Sequence, residues 1–133
     1  MTPTYRLWRL WLGGGGLAAF IAYTITLTLL THWPGLTVEG PVPRTDLWIH
    51  AGVFGLWTVL LAGSGLVGRR LGLGVIARSI GIAVVWAGLN EWSQQFVSRT
   101  TAWDDFVANC VGVALAAVGL AAIATAFRTR KAR

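Results

Sequence analysis

Residues 106–127 read FVANCVGVALAAVGLAAIATAF, a stretch with no charged side chain. A helix rises about 1.5 Å per residue, so about 20 apolar residues are needed to cross the hydrocarbon core of a bilayer. This segment meets that length. Working outward toward the N-terminus, three more stretches meet it or come close: 73–92, 47–66 and 13–31. None contains proline; Pro3 lies near the N-terminus, and Pro34, Pro41 and Pro43 fall in the connection after the first stretch. Proline removes a backbone donor, a loss water can make good in a loop but lipid cannot. The expectation is an all-α integral membrane protein, a four-helix bundle forming one domain over residues 1–133.

The composition agrees. The chain is 55% hydrophobic and 12% charged, with a mean hydropathy of +0.63, outside the usual range of soluble domains. The formal charge of +6 raises the question of nucleic acid, but a nucleic-acid binder groups its basic residues on an accessible face, and here they alternate with apolar runs. No nucleic-acid partner is expected. The single cysteine, Cys110, cannot form an intramolecular disulfide and reads as a small packing residue. The basic start around Arg6 and Arg9 resembles that of a signal peptide. The run that follows is longer than a signal core and ends at Thr31-His32-Trp33-Pro34 without a small-residue cleavage site, so it reads as an uncleaved helix. The glycines from Gly13 to Gly16 are poor helix formers and predict a late or frayed start.

Orientation follows from the basic residues. Arg6 and Arg9 precede the first stretch, Arg69, Arg70 and Arg78 flank the connection from second to third, and Arg128, Arg130, Lys131 and Arg133 follow the fourth. Only Arg44 and Arg99 fall at the other end, together with all five acids, Glu39, Asp46, Glu91, Asp104 and Asp105. The positive-inside rule then predicts a multi-pass protein of the plasma membrane with both termini cytoplasmic. Trp8 and Trp11 would mark the inner interface and Trp33, Trp48, Trp92 and Trp103 the outer one, leaving Trp57 and Trp86 to pack within the bundle. Gly112, Ala116 and Gly119 form a small-residue pattern that permits close helix approach.

Polar residues gather near the predicted outer ends of the last three helices. Asp46 and His50 are four apart and share a face, as do Asp105 and Asn109; Glu91 and Gln94 are three apart. Arg99 stands in the turn between the third and fourth helices. An ionisable residue inside the membrane is costly, which makes it a functional candidate in need of a partner. For His50 those partners are Asp46, Glu91 or Asp105.

These residues carry a resemblance to the VanZ-like family of small bacterial membrane proteins. Asp46, His50 and Phe54 match its first signature in spacing, and Glu91, Gln94, Phe96, Arg99, Asp105, Asn109 and Gly112 match its second. The resemblance covers roughly residues 45–115. Two positions depart from it: Leu47 stands where many members have lysine, and Val97-Ser98 where a Pro-Gly is common. The family's namesake is linked to resistance to teicoplanin-type lipoglycopeptides. The resemblance implies an envelope role, with Asp46, His50, Glu91, Gln94, Arg99, Asp105 and Asn109 forming an external site for a lipid headgroup, a cell-wall precursor or a lipoglycopeptide. It brings no established reaction.

The same residues also have plain structural uses. Asp46, Asp104 and Asp105 stand at helix starts, where a carboxylate caps backbone N–H groups and favours the helix dipole. Gln94 and Asn109 are natural interhelical hydrogen-bonders, and Arg99 is placed to bridge Glu91 and Asp105. An enzymatic reading takes His50 as general base, Glu91 or Asp105 as its orienting carboxylate and Arg99 as the anion stabiliser. Ser93 and Ser98 lack the Gly-x-Ser-x-Gly setting of a nucleophile elbow. The chain lacks the paired histidine or cysteine spacing of a zinc site, so no metal or cofactor is expected. A structural or partner-binding module, self-associating or joined to another membrane protein, is the remaining alternative. Lone transport is disfavoured, because the polar residues stop near one surface.

Overall fold

In the computed structural model, residues 15–36, 40–97 and 103–131 are described. They form four long helices: α1, Gly16–Thr31; α2, Thr45–Gly63; α3, Leu73–Gln94; and α4, Trp103–Lys131. A 3-10 turn, Gln95–Val97, prolongs α3. The all-helical class and the order of elements agree with the expectation; the boundaries move. α2 runs from 45 to 63 where 47–66 was expected, and α4 extends the expected 106–127 by three residues at its start and four at its end. Three of the four, α2, α3 with its turn, and α4, are long and apolar enough to cross a membrane. The 16 residues of α1 are apolar but shorter. Gly13, Gly14, Arg6, Arg9, Trp8, Trp11, Glu39, Ser98, Arg99 and Arg133 lie outside the described residues.

The core forms where α2 meets α3, α4 and α1. Phe54 is fully buried on α2, with Trp57 and Leu61 below it, packed with Ala83 and Ala87 of α3 and Val113 of α4. Trp57 and Trp86, the two tryptophans assigned to packing, stack with centroids 5.8 Å apart and planes 4° from parallel. Phe20 of α1 meets the Trp57 ring edge-on at 5.1 Å. Away from this core the large side chains are apolar and exposed, Val107, Val111, Leu115 and Val118 along α4 among them. An apolar exterior over a partly polar interior is what a lipid solvent selects.

α2 and α4 approach most closely where they lack side chains. A Cβ added to Gly112 would lie 1.9 Å from the Ala51 carbonyl oxygen, and one on Gly55 would lie 3.0 Å from that of Gly112. Gly112 thus fulfils the small-residue expectation for α4, whereas a Cβ on Gly119 would meet nothing within 4 Å. α1 is held differently, by directed hydrogen bonds. Trp57 Nε1 donates to Thr24 Oγ1 at 2.9 Å, and the Tyr23 hydroxyl donates to the Val53 carbonyl at 3.0 Å.

Candidate functional site

The close α2–α4 seam sets His50 of α2 beside Asn109 of α4, three residues before Gly112. His50 Nδ1 is 3.0 Å from Asn109 Oδ1, and Asn109 Nδ2 donates to Glu91 Oε1 of α3, also at 3.0 Å. Three helices therefore meet at one bridging amide. Asn109 is completely buried and Glu91 nearly so.

This chain of contacts fixes the histidine's tautomer. With Glu91 ionised its oxygens only accept, so the Asn109 amide turns its NH2 to Glu91 and its oxygen to His50. That oxygen also only accepts, so Nδ1 of His50 carries a proton. In the neutral imidazole Nε2 then bears the lone pair. Nε2 lies 3.6 Å from Asp105 Oδ2, and Nδ1 lies 3.7 Å from Glu91 Oε1. Both are ion-pair separations for an imidazolium and too long for direct hydrogen bonds. The His50 and Asp105 side chains keep 16% and 20% of their surface exposed, against 3% for Glu91. The site thus has a buried half, Glu91 with Asn109, that orients the ring, and an accessible edge, Nε2 with Asp105, that accepts hydrogen bonds. A group carrying N–H or O–H meets two acceptors there. Among the described residues no three His, Cys, Asp or Glu side chains are grouped to hold a metal ion.

Asp46 is not brought into this site. Arg44, the residue capping α2, adopts a left-handed backbone with φ 55° and makes no side-chain capping bond. Its guanidinium pairs with Asp104 of α4 and lies 3.6 Å from Asp46, and among the described residues Asp46 makes no ion pair with His50. Asp46 remains in the first turn of α2, where it favours the dipole, but the N-cap position belongs to Arg44. Gln94 is buried, yet its Nε2 has no hydrogen-bond partner among the described residues, so the interhelical bond expected of it is absent there. Phe54 of the first signature fills the core directly beneath the site, and Phe96 of the second is exposed against Trp92. Arg99 lies outside the described residues.

A second polar junction escaped the reading of the sequence. At the end of α1, His32 Nε2 is 2.8 Å from Ser93 Oγ of α3, while His32 Nδ1 is 2.9 Å from the Thr28 carbonyl oxygen. Thr31 Oγ1 donates to Asn90 Oδ1 at 3.0 Å. Asn90 and Glu91 are neighbours in α3, so one helix end ties α1 on one side and the α2–α4 seam on the other. The missed signal was the stripe Thr24, Thr28, Thr31 and His32, spaced by three or four on an otherwise apolar helix. Comparison with known protein families, with characterised proteins and with solved structures found no match to this chain.

Proposed function

We propose that this chain is a VanZ-like envelope protein that crosses the plasma membrane as a four-helix bundle, both termini in the cytoplasm, and uses its external polar cluster to bind a membrane-surface ligand. The ligand class is a lipid headgroup, a lipid-linked cell-wall precursor or a lipoglycopeptide. One observation carries the reading: His50, Glu91, Asp105 and Asn109 come from three helices to one depth, with the inner pair buried and the His50–Asp105 edge accessible. Intramembrane ionisable groups carry a desolvation cost, and a cluster that leaves an acceptor edge toward the surface is suited to an ammonium or hydroxyl of an amphiphile. Arg99, between α3 and α4 in the sequence, is the proposed partner for that ligand's phosphate or carboxylate. The family resemblance extends the proposal to a contribution to teicoplanin-type resistance.

The test is binding of phosphatidylethanolamine, a soluble cell-wall precursor analogue and teicoplanin to the parent in nanodiscs and to His50→Ala, Asp105→Ala and Arg99→Ala, with melting temperature measured in parallel. Binding lost at unchanged melting temperature supports the site. Parent protein that binds none of the three, with melting temperature lowered in every variant, makes the cluster a structural clasp instead. The fixed tautomer favours one further reading, in which Nε2 of His50 acts as a general base on a membrane-surface substrate, oriented through Asn109 by Glu91. A folded His50→Gln variant that keeps full activity on such a substrate would exclude it.

A further inference from the structure

We propose that the end of the molecule opposite the polar site is a binding surface for anionic phospholipid headgroups, built by Arg69, Arg70, Arg78 and Arg128. It rests on the bilayer-spanning reading above, though not on the ligand of the polar site. The segment between α2 and α3 turns tightly, with Gly65 at φ +84° and Gly68 at φ +145°, and leaves Arg69 and Arg70 exposed. Two further arginines reach back onto it from different helices. Nη2 of Arg78, in the second turn of α3, stands 3.3 Å from where a Cβ of Gly68 would be. Nη2 of Arg128, near the end of α4, stands 3.6 Å from the corresponding point at Gly72. The exposed segment that carries Arg69 and Arg70 thus gathers two further guanidinium groups, one from α3 and one from α4.

No described residue neutralises them. None of the four makes an ion pair among the described residues. The sequence has no acid between Asp46 and Glu91 and none after Asp105, so no carboxylate of these helices lies at this end. The same face carries Leu66, Leu73 and Phe127 exposed beside the arginines. Exposed apolar side chains next to guanidiniums that have no ion-pair partner among the described residues match the boundary between acyl chains and phosphates, and a guanidinium binds phosphate in bidentate fashion. This flanking favours lipid over nucleic acid, which needs its basic face clear of apolar surface.

The experiment places the full chain in nanodiscs of phosphatidylcholine mixed with phosphatidylglycerol and counts retained lipids by native mass spectrometry after release. The parent is expected to retain phosphatidylglycerol preferentially, and Arg78→Gln with Arg128→Gln is expected to reduce that preference about five-fold per arginine removed. Arg78→Lys with Arg128→Lys keeps the charge and is expected to retain most of it, whereas Arg44→Gln, which removes an exposed arginine at the far end, leaves it unchanged. Equal retention of the two lipids by the parent, or a preference insensitive to the glutamine pair, overturns the proposal while leaving the polar-site reading standing. Binding of a DNA oligonucleotide that outcompetes phosphatidylglycerol also overturns it. A chain that fails to enter nanodiscs overturns the bilayer reading and this surface together.

Discussion

The α2–α4 seam and the attachment of α1 hold helices together by opposite means. In the seam, Gly112 and Gly55 remove side chains so that backbones touch, and one buried amide, Asn109, completes the contact. Around α1, full-sized side chains reach across: Tyr23, Trp57 with Thr24, Thr31 with Asn90, and His32 with Ser93. Close packing tolerates almost no added volume, whereas a set of single hydrogen bonds can lose one member and persist. The seam should therefore be brittle and site-determining, and the α1 junction graded.

The largest effect is expected from Gly112→Ala, whose new Cβ has no room against Ala51. Forcing the helices apart should cost about 2–4 kcal/mol and separate His50 from Asn109, seen as a lower melting temperature together with lost ligand binding. Next comes Asn109→Leu, which fills space but strips Glu91 and His50 of their bridge inside the protein; a loss of about 2 kcal/mol is expected by denaturant titration in detergent. If Asn109→Leu proves neutral, the seam depends on volume alone. On the other side of the comparison, Trp57→Phe keeps a ring against Phe20 and Trp86 but loses the bond to Thr24 and the buried volume of the larger indole. It should cost about 1–2 kcal/mol, raise protease sensitivity within α1, and leave ligand binding intact. The smallest effect is expected at Arg44→Gly. The exposed ion pairs to Asp104 and Asp46 contribute little, and glycine relieves the left-handed backbone, so thermal unfolding should be unchanged.

The same contrast explains what could be read from the sequence. Long apolar runs and excluded prolines locate helices because lipid enforces them, and the placing of acids at one end locates the polar cluster. Asn109 as an interhelical hydrogen-bonder and Gly112 as a point of close approach were each legible, but that both serve the α2 seam was not, because spacing along one helix does not name its neighbour. Asp46 was not. Its spacing from His50 put both on one face, but a left-handed Arg44 just ahead of the helix offered a closer partner, and backbone conformation at a non-glycine cap leaves no periodic trace. The α1 junction was obscured for another reason: threonines in an apolar helix usually bond back to their own chain, as Thr24 and Thr28 do, so their stripe looked local. Only Thr31 and His32, at the helix end, had donors and acceptors left for α3.

On the proposed bilayer-spanning arrangement, the unusual length of α4 has a consequence for the membrane itself. Its 29 residues extend about 43 Å, against a hydrocarbon core of about 30 Å. A rod longer than the slab around it must lean or protrude, and α4 cannot lean freely while Gly112 pins it to α2. Bilayer thickness becomes a mechanical input to the seam: thin membranes press α4 to tilt against its fixed point, and thicker ones let it stand upright. Melting temperature in phosphatidylcholines of increasing acyl length should rise before levelling, and the Gly112→Ala variant, freed of its pivot, should respond less.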